Sequence, residues 1–408
     1  MSHESIADYF DGAAGKYLSA VEAHPKRSNQ HEFNGVARLR DLLGAPPPGG
    51  YKYRAAFVYL DDETEPVRAD GLVTWYDARS AHTSRSECRL YYSANPVVDC
   101  AGEGDYMVIA KPREGTVDSQ LVVVLSPAGS TVALQLQHLF DLEATSVLDV
   151  QDMLGDDALT LASRYLLESL GFERSDIKDQ YLDALVSKFG SEFPDTQAFS
   201  EFARSTVSDC DPLADPDVSL VAWMDQEESL YRTFERHIVS PMLERAVGDV
   251  DGTLEVAMRT FQRRRSRAGH ALENHVAHLL ALHGVAFERQ ARTEGRKRPD
   301  FLFPGREAYV SSHFPEERLV MLGVKTTCKD RWRQVLTEAD KVGSKHLLTL
   351  EAPISKTQTD EMRARSLTLV VPSPLIDTFE RQQHEILTTV WDFIALVKGC
   401  ADTWAPVG

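Results

Sequence analysis

Four side chains suggest a chemistry: Glu273, Asp300, Lys325 and Glu338. Pro299-Asp300-Phe301-Leu302-Phe303 sets a carboxylate at the start of a short apolar run. Val320-Met321-Leu322-Gly323-Val324-Lys325 ends a second such run with a lysine. Glu338 follows in a segment whose pattern predicts a helix over about 331–342. Carboxylates and an amine at neighbouring strand ends can hold Mg²⁺ against a scissile phosphate and steer an attacking water. In that scheme Asp300 binds the cation, and Glu338 and Glu273 ligate it directly or through water. Lys325 acidifies the attacking water and offsets phosphate charge. Each residue also has an ordinary role open to it. Asp300 could mark a turn, Lys325 a solvated strand end, and Glu338 a surface pair with Lys341. Glu273 shares an apolar helical stripe with Val276 and Leu280, where a carboxylate needs a metal or an arginine partner.

The same part of the chain is rich in cations. Arg263, Arg264, Arg265 and Arg267 precede the Glu273 helix and are expected to form a phosphate track. Lys329, Asp330 and Arg331 follow the candidate lysine closely. Arg and Lys can donate to guanine and Asp can accept from cytosine, a set suited to reading G·C pairs. Arg79, His82, Arg85 and Arg89 surround a short strand near the N-terminus and are a second candidate DNA-contact surface, one with less behind it than the C-terminal cations. The net charge of -18 argues on its face against a polyanion partner. Its distribution matters more: acids gather around 141–157 and 209–228, bases around 259–267 and 289–298.

These residues need elements to position them. Residues 1 to about 150 read as short aromatic- and valine-rich strands, Tyr53 to Leu60, Leu72 to Tyr76, Cys88 to Tyr92, Tyr106 to Ala110 and Leu121 to Leu125. They predict an antiparallel sandwich or barrel. From 151 to 217 the period changes to that of amphipathic helices, ending in a proline-bearing linker over 209–217. A helical stretch over about 218–262 carries Leu230, Phe234, Ile238 and Met242 on one face, with Pro241 as a kink. Another helix runs to a cap at Gly284. Beyond it, strands alternate with helices, ending in a helix near 377–397, which predicts an α/β domain with a central mixed sheet over 218–408.

Composition is that of an ordinary globular chain, with 408 residues expected to form more than one domain. Apolar runs are too short for a membrane span, and residues 1–10 lack the pattern of a signal peptide. Five scattered cysteines predict neither a disulfide framework nor a zinc site, and a cytoplasmic location is expected.

The segments Arg264 to Gly269, Leu272-Glu273, Lys297 to Pro304 and Val324 to Gln334 closely resemble the EcoRII-type restriction endonucleases. So do Glu338 to Lys341 and Leu369 to Ser373. The resemblance covers roughly 220–400. It implies a multidomain fold: a mostly-β, B3-like pseudobarrel over 1–150, a helical connector, and a PD-(D/E)XK nuclease core. It also implies the catalytic roles given above for Asp300, Lys325, Glu338 and Glu273, with the motif's second acid moved onto the following helix. The place where that acid usually stands, two before the lysine, is Gly323 here. The implied activity is Mg²⁺-dependent cleavage of double-stranded DNA at 5′-CCWGG, before the first C, by a homodimer. Lys329, Asp330 and Arg331 would read the C·G pairs and the central pair would be flipped from the stack. In the first domain the likeness rests on His31, Arg79 and Glu87 to Tyr92, implying a domain that binds a second copy of the site. A cognate DNA methyltransferase is implied without direct contact. Alternatives from the residues are a modification-dependent or repair endonuclease, and a DNA-binding regulator with a degenerate core.

Overall fold

The computed structural model describes residues 4–24, 31–80, 86–155, 158–173, 179–328 and 332–401. The chain divides into two compact units: Met1–Ser175 with Pro353–Thr357, and Asp176–Ala352 with Gln358–Gly408. The division falls inside the segment expected to be a helical connector.

The first unit is built on one curled, mixed eight-stranded sheet. In chain order its strands are β1 (Phe10–Tyr17), β2 (Glu32–Phe33), β3 (Tyr51–Tyr59), β4 (Val67–Asp77), β5 (Cys88–Tyr92), β6 (Tyr106–Pro112), β7 (Leu121–Ser126) and β8 (Asp149–Asp152). Across the sheet they run β2-β5-β4-β3-β7-β6-β1-β8. The expected all-antiparallel arrangement needs one correction, because β3 and β7 pair in parallel while their neighbours are antiparallel. The cause is legible in Leu121-Val122-Val123-Val124-Leu125, an unbroken apolar run rather than an alternating one, as a strand covered on both faces requires. Val58, Val108, Val122 and Val124 face a core with Leu136, Leu139, Leu166 and Leu167 from the helices Thr131–Leu139 and Leu161–Ser169. Their neighbours Phe57, Ile109, Val123 and Leu125 face the opposite core with Leu39, Trp75, Val97 and Val98.

In the second unit, helices Leu182–Phe189 and Thr196–Ser205 pack with two long helices, Pro216–Arg245 and Val250–Leu282. Phe199, Phe202, Leu230, Phe234 and Ile238 form the core of this bundle. The helix break lies at 246–249, not near 262 as expected. Gly248 takes φ +89 and the Asp249 side chain accepts the Gly252 N–H, so a new helix starts there and runs unbroken through Glu273. It ends as Gly284 predicts: the Gly284 and Val285 N–H groups donate to Ala281 and Leu280 carbonyls, a Schellman closure. Pro241 sits within the first long helix without ending it. The expected linker over 209–217 also shortens, because buried Asp217 lies in that helix's first turn. Asp217 accepts N–H bonds from Ser373, Val390 and Trp391, the last two starting the final helix, Val390–Ala401. That helix begins later than the expected 377.

The bundle is followed by a six-stranded mixed sheet: β9 (Glu288–Arg289), β10 (Phe301–Phe303), β11 (Val320–Lys325), β12 (Lys345–Thr349), β13 (Leu367–Val370) and β14 (Leu387–Thr388), in the order β14-β13-β12-β11-β10-β9. β11 to β14 are parallel, and β10 is antiparallel to both its neighbours. The helix expected over 331–342 is a single turn, Trp332–Val335, and Glu338 stands in the bend beyond it. Ala339, next in line, holds φ +48, a left-handed conformation that no continuing α-helix permits.

Candidate active site at the β10–β11 strand ends

Antiparallel pairing sets Phe301 opposite Leu322, which brings Asp300 beside the C-terminal end of β11. The Asp300 carboxylate is buried, and both of its oxygens accept hydrogen bonds. Oδ2 accepts the Val324 N–H at 2.7 Å and pairs with Lys325 Nζ at 2.8 Å. Oδ1 accepts from Gln290 Nε2 at 2.9 Å. The lysine is thus held by the acid it would work with, at the sheet end where ligands favour binding in such folds.

Glu338 and Glu273 complete the set through charge. Burial, then the negative charge of Asp300, pushes the Glu338 carboxyl up to about 7, with Lys325 and Lys345 pulling the other way. Burial and then Asp300 also raise Glu273, partly offset by Arg289, whose Nη2 lies 3.4 Å from Glu273 Oε2. Asp300 therefore acts electrostatically on both acids and is in direct contact with Lys325. An all-oxygen set of mutually repelling carboxylates fits a hard divalent cation. No group of three or more His, Cys, Asp or Glu among the described residues is already arranged around a metal position.

At Gly323, two places before Lys325, the strand has little room for an acid. A Cβ built there would lie 2.7 Å from Val335 Cγ2, so the single-turn helix fills the space an acid would use. The same segment delivers Glu338 three residues later. Its bend is pinned on several sides: Lys345 Nζ donates to the Glu338 and Ala339 carbonyls, Asp340 N–H to Glu294 and Lys341 N–H to Tyr309 Oη.

Sequence reasoning missed Gln290, Arg289, Lys345 and Tyr309. None stands in a motif, and only the pairing of β9 with β10 brings Gln290 to Asp300.

The expected phosphate track divides. Arg267 is buried, pairs with Glu227 and Glu228, and lies 4.2 Å from the Tyr231 ring centroid. Arg264 pairs with Glu235 at 2.6 Å. These two pair with acids of the preceding long helix, which corrects the expectation that all four arginines form a phosphate track. Arg263 is exposed, 4.0 Å from the Phe193 ring centroid, and Arg265 is exposed. Lys329, Asp330 and Arg331 lie outside the described residues, as do His82 and Arg85. In the first unit Arg79 pairs with Glu87 at 2.6 Å, and Arg89 with Glu87 and Glu32 at 2.7 Å each. His31 packs edge-on to Tyr92, and its Nδ1 is buried without a hydrogen-bond partner among the described residues.

Residues 231–394 match the family model described as EcoRII C terminal. The type II restriction enzyme EcoRII of Escherichia coli is 38% identical over 235 residues, which is 57% of this chain and 57% of that protein. The match thus spans little more than half the length of this relative. Among solved structures, metal-depleted Ecl18kI in complex with uncleaved, modified DNA aligns with a TM-score of 0.46 and 19% identity, over 57% of this chain and 87% of that one. A complex of the restriction endonuclease PspGI with substrate DNA aligns at 0.42 and 15% identity, over 52% and 95%. Over the matched part, the chain is similar to the EcoRII-type restriction enzymes. No helix among the described residues is long and apolar enough to cross a membrane.

Proposed function

We propose that this chain is a Mg²⁺-dependent type II restriction endonuclease making sequence-specific double-strand cuts in DNA. The observation that carries the reading is the Asp300–Lys325 pair at a strand end, with Glu338 and Glu273 both under the electrostatic influence of Asp300. The relationship to EcoRII over the part of the chain bearing these residues supports it.

Asp300, Glu338 and Glu273 would hold the cation, which supplies charge stabilisation at the scissile phosphate and a more acidic attacking water. Lys325 would stand beside that water and the phosphate oxygens, its Nζ placed by Asp300 Oδ2, which the Val324 N–H holds in turn. With its carboxyl pushed up to about 7, Glu338 would have to lose its proton to hold the cation, so cation binding should rise with pH through about 7.

The finer reading is a CCWGG-type site cut before the first C, with Lys329, Asp330 and Arg331 reading the G·C pairs and Arg263 and Arg265 near phosphate. The first unit, through His31, Arg79, His82, Arg85 and Arg89, is a DNA-binding module of B3-like type. Two-fold duplex sites suit a homodimer, each copy cutting one strand, with a cognate methyltransferase protecting host sites. The test is digestion of methylated and unmethylated plasmid with and without Mg²⁺, followed by end sequencing. Discrete Mg²⁺-dependent ends, lost in Asp300→Ala with DNA binding retained, are expected. Cutting restricted to methylated plasmid would replace this reading with a modification-dependent nuclease. Full activity in Asp300→Ala would overturn the site.

A further inference from the structure

Gln290 is exposed, on an edge, and in an unfavourable conformation. It holds φ +50, the left-handed region that Gly or Asn adopts cheaply and a longer side chain does not. Strain of this kind persists only where the surrounding structure requires it. What requires it here is Asp300. The Gln290 N–H donates to the Asp300 carbonyl at 3.1 Å and its Nε2 to Asp300 Oδ1 at 2.9 Å, a two-point attachment to one residue.

The residue before it does related work. Arg289 Nη2 lies 3.4 Å from Glu273 Oε2 and donates to Asn274 Oδ1 at 3.1 Å. Successive side chains on a regular strand point to opposite faces. The turn of the backbone at Gln290 breaks that alternation, and two adjacent side chains each reach a carboxylate of the same site.

We infer that Gln290 is a positioning residue for Asp300, setting the carboxylate plane on which divalent-cation binding depends. The terminal torsion of an aspartate is broad, so bonds to one oxygen leave the other poorly fixed. Val324 and Lys325 hold Oδ2, and Gln290 holds Oδ1. An oxygen accepting one N–H retains a lone pair for a cation, so the amide orients the ligand without displacing the metal. The role as stated rests on the nuclease reading above.

Gln290→Gly tests it, because glycine removes the amide while accepting the backbone conformation. Thermal stability should hold or rise. Ca²⁺ affinity of the DNA-free protein, measured by calorimetry, should fall about tenfold or more, in the range typical for loss of a ligand's supporting bond. The Mg²⁺-dependent cleavage rate should fall similarly at unchanged DNA affinity. Hydrogen exchange in the peptide containing Val324, followed by mass spectrometry, should accelerate because its acceptor is loosened. Wild-type Ca²⁺ affinity together with unchanged exchange would overturn the proposal. If the wild-type protein neither cuts DNA nor binds Ca²⁺, the nuclease reading fails and the exchange measurement alone judges Gln290. Local acceleration supports the positioning role, and unchanged exchange refutes it.

Discussion

Replacing Glu338 by Gln should make the metal-free protein more stable at pH 8 while abolishing its cleavage. Burial and the charge of Asp300 move the Glu338 carboxyl from its ordinary 4.5 to about 7. At ~1.4 kcal/mol per tenfold change in acidity, that is worth ~3 kcal/mol for a fully shielded group. Glu338 is partly exposed, and solvent screening reduces the figure to ~1–2 kcal/mol. The sign follows from the raised value. The folded state holds the proton more tightly than the unfolded chain, so this contribution is complete below about 4.5 and lost as pH rises through about 7. The amide of Glu338→Gln is neutral at every pH and has no such contribution to lose. Thermal unfolding in chelator, followed by near-ultraviolet circular dichroism, should therefore show similar midpoints for the two proteins near pH 4.5. A gap of about 2–6 °C in favour of Glu338→Gln should open by pH 8. Adding Ca²⁺ at pH 8 should narrow or reverse the gap, because only the wild type regains a compensated carboxylate. A variant less stable than wild type at pH 8, or a gap independent of pH, would refute the claim that partial burial and the charge of Asp300 raise the Glu338 carboxyl.

Two further outcomes follow from packing. Gly323→Glu restores an acid to its usual strand position but pushes a Cβ against Val335, so it should destabilise the second unit by roughly 1–3 kcal/mol. Combined with Glu338→Ala it should leave plasmid uncut, and recovered cleavage in the double variant would show that the strand has room for the acid. Arg267→Ala strips a buried guanidinium from Glu227 and Glu228 and should cost about 3–5 kcal/mol in chemical denaturation. The salt dependence of DNA binding should not change. A marginal stability loss with a salt slope shallower by about one would instead make Arg267 a phosphate contact.

How much of this was legible in the sequence depends on whether the signal was local. Asp300 and Lys325 stood out because one opens an apolar run and the other closes one, and antiparallel strand pairing is what joins such ends. The run Leu121 to Leu125 announced a doubly covered strand. Gly248-Asp249 contained the helix break, overlooked because the apolar period continues across it. β1 was missed because Phe10 to Tyr17 is poor in strand formers. Its glycines answer to distant neighbours, and a Cβ at Gly15 would lie 2.5 Å from Tyr106 Oη and 3.0 Å from Leu142. The arginine run misled for the same reason. Whether Arg267 faces solvent or Glu227 depends on a helix forty residues earlier, and no local spacing encodes that.

The displaced acid makes physical sense of the polar detail around it. A carboxylate on a central strand is fixed by the sheet's ladder, whereas one in a bend inherits the bend's freedom. Catalysis needs the reacting groups held closely, so the fixation must be supplied by other means. Around Glu338 it comes from Lys345 on the carbonyls, from Glu294 and Tyr309 on the two N–H groups that follow, and from Lys297 paired with Asp340 at 3.0 Å. Those bonds also offset the unfavourable conformation of Ala339. Two left-handed, non-glycine residues flank the site, Ala339 beside Glu338 and Gln290 beside Asp300, and each is held by bonds to its neighbours. The sheet fixes Asp300 and Lys325, a long helix carries Glu273, and strained, heavily bonded turns carry Gln290 and Glu338.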